Sequence, residues 1–242
     1  MRIGIIGKGI LGGTLAQGFE RDPRVRAVDA TTRASADRNC EVAESSDVVL
    51  VCVKPRDAAS VCTQIAPVLR AEQLLVSAVA AVTVRSLREW TRERARIVRV
   101  MPNTPARVAS GMTVLAKNDD ADALERTQLL FESFGRTLVM DESLMDAVTA
   151  VSGCGPAFAF VMMEAMIDGA IALGIPYEHA RLLVAQTVLG SAQLLLESGQ
   201  HPGALKHEVT TPAGRTIRGL RELEAGAGRA AMMQAVIAAG SM

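Results

Sequence analysis

The sequence predicts an α/β protein: a doubly wound parallel sheet over residues 1–142, followed by an all-α region over residues 143–242. Three observations carry this. Short β-branched runs alternate with helical stretches through the first 140 residues, the pattern of strands joined by crossover helices. The run Val48-Val49-Leu50-Val51-Cys52-Val53 is apolar throughout, as a strand covered on both faces requires. After Leu144 strand patterning stops, and long helical periodicities rich in Ala, Leu and Met take over.

The elements follow in order. Ile3-Gly4-Ile5-Ile6 reads as a strand and residues 10–20 as a helix. Residues 25–29 form a weaker strand, 48–53 the buried one, and 57–69 a helix. Leu74-Leu75-Val76-Ser77 is a second buried strand, with a helix over 84–92 after it. Ile97-Val98-Arg99-Val100 is a strand ending in Met101-Pro102-Asn103-Thr104-Pro105, whose two prolines forbid a helix there. Strands at 112–116 and 137–140 flank a helix over 122–134. Beyond residue 143 the helices fall at 156–173, 177–197, 202–209, 214–224 and 229–239, with Pro156 suited to a first turn. Met162, Met163 and Met166 cover more than one face of their helix, so this region is expected to hide apolar surface in a homodimer or higher homo-oligomer. Glu164 and Asp168, four apart on the same helix, read as a solvated strip or a structural polar contact.

Composition excludes several classes. A 242-residue chain that is 49% hydrophobic and 21% charged carries a real core and suits one or two domains. Lys+Arg and Asp+Glu are 26 each, which argues against nucleic acid, and five Phe, one Trp and one Tyr are too few for a base-stacking platform. Cys40, Cys52, Cys62 and Cys154 show no disulfide or C-x-x-C pattern, and His179, His201 and His207 show no ligand spacing, so no metal is expected. No uninterrupted apolar run approaches the ~18 residues of a membrane span. The glycines and Lys8 near the N-terminus argue against a signal peptide, and a cytoplasmic protein is expected.

Gly7-Lys8-Gly9-Ile10-Leu11-Gly12 is G-x-G-x-x-G, placed directly after a strand and opening a helix. That is the context a dinucleotide-binding, Rossmann-type loop requires. Gly7 permits the tight turn, Gly9 the approach of a pyrophosphate and Gly12 the packing of helix on strand. Helix N–H groups then face the phosphates. Asp29 lies near the expected position for a ribose-binding acid, yet Thr31, Thr32 and Arg33 follow at once and suit a 2′-phosphate, so NADP(H) is expected, with NADH possible. Lys54 ends a central strand and Asn103 another at the same sheet edge, where open α/β sheets bind ligands.

Further segments resemble pyrroline-5-carboxylate reductase, and the resemblance spans nearly the whole chain. Val53-Lys54-Pro55 resembles the family's A-V-K-P turn, and residues 77–83 its S-x-A-A-G-V-T. Residues 101–105 match M-P-N-T-P, Ser152-Gly153-Cys154-Gly155-Pro156-Ala157 resembles S-G-S-G-P-A, and residues 205–224 resemble the C-terminal signature L-K-D-x-V-T-S-P-G-G-T-T-I-x-G-L-x-x-L-E. The chain departs from the pattern at Ala81 (for Gly), Cys154 (for Ser), Glu208, Ala213 (for Gly) and Arg215, and only five residues separate Arg33 from Asn39, where the family usually carries a helix. The resemblance implies a dinucleotide-binding region over 1–142 and a helical substrate and dimerisation region over 143–242. It also implies NAD(P)H-dependent hydride transfer to a cyclic imine, giving L-proline, and a small imino-acid substrate.

The implied cofactor contacts are Gly7, Lys8, Gly9, Ile10, Leu11, Gly12, Thr32, Arg33, Asn39 (near the adenosine ribose), Cys52, Lys54, Ala78, Ala80 and Asn103. The implied substrate contacts are Thr211, Gly214, Arg215 and Thr216. Backbone N–H groups at the start of the 214–224 helix suit the substrate carboxylate, and Arg215 is a local addition to that set. Thr216 is the best candidate for a proton donor; a protonated imine needs little more than positioning. Alternatives are a reductase of a related cyclic imino acid and a non-catalytic NADP(H)-binding regulatory paralogue. A β-hydroxyacid dehydrogenase is disfavoured, because residues 153–166 lack the Lys and Asn of its G-x-x-x-K-x-x-x-N pattern.

Overall fold

In the computed structural model, which describes residues 1–241, the chain falls into two compact units, Met1–Pro156 and Ala157–Met242. The first unit runs β1 (Arg2–Ile6), α1 (Ile10–Phe19), β2 (Ala27–Thr31), α2 (Asn39–Glu44), β3 (Val48–Val51), α3 (Pro55–Ile65), β4 (Leu74–Ser77), α4 (Val84–Thr91), β5 (Arg96–Met101), β6 (Gly111–Ala116), α5 (Ala121–Phe131), β7 (Gly135–Met140) and α6 (Met145–Val148). The strands form one seven-stranded sheet in the order β2-β1-β3-β4-β5-β6-β7.

Every residue of β3 and β4 is buried, which is why both read as apolar runs, with Ser77 at the end of β4 the one polar residue. Their side chains still alternate between faces. Val48, Leu50, Leu74 and Val76 join Ile3, Ile5, Leu15, Phe19 and Leu130 in one cluster, while Val49, Val51 and Leu75 join Ala58, Ile65 and Leu87 in another. Helices α1 and α5 therefore cover one face, and α2, α3 and α4 the other. Phe19, Phe131 and Phe134 close the first cluster, with Phe19 and Phe134 edge-on at 4.8 Å between ring centroids.

Three details differ from the sequence expectation. The sheet is parallel from β2 to β5, but β5 and β6 pair antiparallel, Val100 opposite Leu115, while β6 and β7 are parallel again. The connection from Met101 to Gly111 holds only a short 3₁₀ turn, too little chain for a crossover helix. A 3₁₀ turn at Arg33–Arg38 and the short helix α2 fill the segment between β2 and β3. Contacts divide the chain after Pro156 rather than at 142/143, because Met145 and Val148 pack against Met101, Val114 and Ala116.

The second unit contains α7 (Gly155–Ala172, its first residues in unit one), α8 (Tyr177–Ser198), α9 (Pro202–Glu208), α10 (Arg215–Ala225) and α11 (Gly228–Gly240). Among its described residues only Ala180 and Val184 are buried. Phe160, Val161, Leu182, Leu183 and Met233 are more than half exposed. The continuous run Glu142–Ala172 is long and apolar enough, by length and composition, to cross a membrane. Glu164 and Asp168 interrupt its apolar stretch.

Asp120 caps α5, accepting the Ala123 N–H at 3.0 Å, and receives Arg96 Nε from the start of β5 at 2.7 Å. The guanidinium beside it holds its carboxyl down to about 2. A carboxyl lowered on folding contributes stability above its unfolded value near 3.8, and that contribution is lost as pH falls through about 2. Asp120→Ala should cost about 1–2 kcal/mol at pH 7 in chemical denaturation, with the gap to wild type narrowing below pH 4. A gap constant down to pH 2 would refute the pairing.

Candidate functional site

Strands β1 and β3 are neighbours, but β1 also pairs with β2 on one side and β3 with β4 on the other. The loops leaving their carboxyl ends diverge, and such a switch point is where open α/β sheets hold ligands. A cleft of about 490 Å³ opens there, walled by Gly7, Lys8 and Gly9 after β1, Thr31 to Arg33 after β2, and Cys52 to Lys54 after β3.

The glycine loop is built as the sequence requires. Gly7 has φ +104°, and a Cβ there would lie 2.7 Å from the Cys52 carbonyl oxygen. A Cβ on Gly12 would overlap the Gly7 carbonyl oxygen, whereas one on Gly9 would meet nothing within 4 Å. Gly9 therefore faces open cleft, and Gly12 lies flat against the turn. The Gly7 and Lys8 N–H groups donate to the Thr31 carbonyl at 3.1 and 2.7 Å, locking the loop to the end of β2. Helix α1 begins at Gly9 with no side-chain cap, so its first-turn N–H groups, those of Ile10, Leu11 and Gly12 among them, are available to an anion. This constellation fits the phosphates of a dinucleotide.

The far wall is a chain of hydrogen bonds. Thr31 Oγ1 donates to Asn39 Oδ1 at 2.6 Å, Asn39 Nδ2 to Gln64 Oε1 at 2.9 Å, and Gln64 Nε2 to the Ala36 carbonyl at 3.0 Å. Asn39 is buried and its carboxamide is committed, so it shapes the wall. Asp29 pairs with Arg38 at 2.9 Å and does not line the cleft. Thr32 and Arg33 do, with Arg33 paired to Asp57 at 2.8 Å. Lys54 sits exposed at the start of α3 and lines the same space. Desolvation pushes the Cys52 thiol up to about 12, which keeps it neutral beside the cleft.

Other expected contacts lie elsewhere. Ala78 belongs to the first core cluster and Ala80 packs against the cluster of Met101 and Val114; neither lines the cleft. Asn103 does not line it either: its Nδ2 donates to Ser152 O and Oγ at 3.2 Å and its Oδ1 accepts the Met112 N–H at 2.9 Å. The side chain is occupied in tying the β5–β6 connection to residue 152. Conversely, Arg56, Asp57, Ser60 and Gln64 of α3 line the cleft and were not singled out from the sequence. Asp57, Ser60, Val61 and Gln64 share helical spacing, the signal that would have found them.

In the second unit Thr211, Gly214, Arg215 and Thr216 do come together around the start of α10. The Gly214 N–H donates to the Thr211 carbonyl at 3.0 Å, and a Cβ on Gly214 would overlap Thr211 Oγ1. The Thr210 hydroxyl donates to Lys206 O, and α10 has no side-chain cap, leaving its first-turn N–H groups available. Ala213 adopts φ 55° and Ala81 φ 57°, so both positions where the resemblance expects glycine are left-handed.

The family model described as pyrroline-5-carboxylate reductase dimerisation matches residues 142–241, and one described as NADP oxidoreductase coenzyme F420-dependent matches residues 2–81. A pyrroline-5-carboxylate reductase of Methanosarcina acetivorans is 39% identical over 98% of this chain and 95% of its own. One of Pisum sativum is 38% identical over 98% and 93%. Among solved structures, Plasmodium falciparum pyrroline carboxylate reductase with NADP bound superposes at TM-score 0.90, with 30% identity over 99% of this chain and 95% of that one. A Coxiella burnetii pyrroline-5-carboxylate reductase superposes at 0.84, with 31% identity over 98% and 95%.

Gly12→Ala should destabilise the protein by about 1–3 kcal/mol and weaken dinucleotide binding, measured by thermal melting and calorimetric titration, since its methyl must displace the Gly7 turn. Ala213→Gly should relieve the left-handed strain, raising stability by about 0.5–1 kcal/mol after the entropy cost of glycine; a fall in melting temperature would contradict the left-handed turn.

Proposed function

The chain belongs to the pyrroline-5-carboxylate reductase family, and on that premise we propose that it reduces 1-pyrroline-5-carboxylate to L-proline with NADPH. The observation that carries the reading is the match of relatives bearing that name along almost the full length of both chains. The cleft residues support NADPH over NADH: Asp29, which would hold a ribose 2′-hydroxyl, is engaged by Arg38, while Thr32 and Arg33 line the space.

When bound, the reduced nicotinamide supplies the hydride that the imine carbon accepts. The chain's own residues bind and orient. Gly9 and the uncapped start of α1 hold the phosphates, and Lys54 places a cation at the end of β3. The uncapped start of α10, with Arg215 and the Thr216 hydroxyl in its first turn, holds the substrate carboxylate. Thr216 is the candidate to hold a proton at the ring nitrogen; a substrate arriving as the iminium makes positioning and exclusion of water the main contributions.

The helical unit supports assembly as a homodimer or larger homo-oligomer. Its apolar side chains are uncovered in the single chain, and residues 142–241 match a dimerisation family. We read Glu142–Ala172 as interface rather than membrane span for the same reason, with Glu164 and Asp168 on its surface.

The test is loss of reduced-nicotinamide absorbance with pyrroline-5-carboxylate and either NADPH or NADH. Turnover favouring NADPH is expected. NADPH binding without turnover would point to the regulatory alternative, and turnover only with a six-membered imine would move the substrate. Arg215→Ala should raise KM about 10- to 100-fold with little change in kcat, the value of a charge-assisted contact. An unchanged KM removes Arg215 from the site.

A further inference from the structure

We infer that Asp57 sets how strongly the cleft discriminates a 2′-phosphorylated dinucleotide from an unphosphorylated one, by holding Arg33 in an ion pair that the 2′-phosphate must break. The inference rests on the reading that NADPH occupies this cleft.

Among the described residues Asp57 is the single acidic group lining the cleft, against four cations: Lys8, Arg33, Lys54 and Arg56. Its Oδ2 lies 2.8 Å from Arg33 and its Oδ1 3.8 Å from Arg56, so one carboxylate stands between two guanidinium groups. Asp57 is the anchored partner. It lies in the first turn of α3, where its N–H donates to the Lys54 carbonyl at 2.9 Å and the helix dipole favours its charge. Arg33 is the movable partner, with its side chain 76% exposed.

Asp29, in the middle of β2, is paired with Arg38 and does not line the cleft, so it is not placed to discriminate at the ribose. Discrimination therefore falls to groups around Arg33. A phosphate carries about −1.5 to −2 charge and three acceptor oxygens, so it wins Arg33 from a single carboxylate, but only after the existing pair opens. It then sits close to a negative charge that does not leave. Both effects act against the 2′-phosphate and leave the rest of the dinucleotide untouched.

Calorimetric titration with 2′,5′-ADP and 5′-AMP as probes tests this on the intact protein. Asp57→Asn should tighten 2′,5′-ADP about three- to tenfold while leaving 5′-AMP within about twofold. Arg33→Ala should weaken 2′,5′-ADP about tenfold and reduce the effect of adding Asp57→Asn to below about twofold. Melting curves confirm that each variant is folded, and Asp57→Ser repeats the measurement if the Asn variant melts early. Unchanged or weaker 2′,5′-ADP binding in Asp57→Asn, or equal tightening of both probes, overturns the inference alone. A wild-type protein that binds the two probes equally overturns it together with the NADPH reading.

Discussion

The structure depends on how closely the first helix approaches the first turn. Gly12 leaves no room for a methyl against the Gly7 carbonyl, and Gly7 leaves none against the Cys52 carbonyl just past β3. Those two contacts bring the open end of α1 to the place where β1 and β3 part company. A bulkier residue at either point would lift the helix start away from the divergence and leave its N–H groups aimed at solvent. The rest of the cleft is arranged around that fixed origin: β2 contributes Thr31 as the acceptor that locks the loop, and α3 contributes the opposite wall.

Much of the fold was legible because burial on both faces leaves its mark on composition. Residues 74–77 are a strand in sequence and structure alike, and the helices of the second unit fall within two residues of the bounds read from the sequence. Strand direction leaves no such mark. Nothing in the alternation of residues 111–116 separates a parallel from an antiparallel partner; the information lies in the length of the preceding connection, which has no helix to carry the chain back. The segment 33–44 was illegible for a different reason. It is short, and only Val42 and Ala43 among its apolar side chains are buried, with surface pairs such as Arg38 with Asp29 and Glu41 around them, too few positions to make a readable apolar stripe.

Of the residues lining the cleft, Gly7, Gly9, Thr32, Arg33 and Lys54 were readable because each lies within three residues of a strand end. Residue type alone left the role of the two asparagines open. A carboxamide looks the same whether it meets a ligand or a neighbouring main chain, and here Asn103 serves Met112 and Ser152 while Asn39 serves Thr31 and Gln64. The α3 residues escaped notice because a charged first turn is so often mere surface. Only the sheet order shows that this particular turn borders a cleft.

The helical unit hides so little of itself that its integrity becomes a matter of mass action. With two buried residues among those described, it lacks an interior of the size that normally offsets chain entropy. Covering Phe160, Leu183 and Met233 with a second chain ties the persistence of those helices to how often protomers meet. Dilution then acts as a denaturant directed at one half of the molecule, and the turn at residues 211–216, proposed above to hold the substrate, is carried by that half.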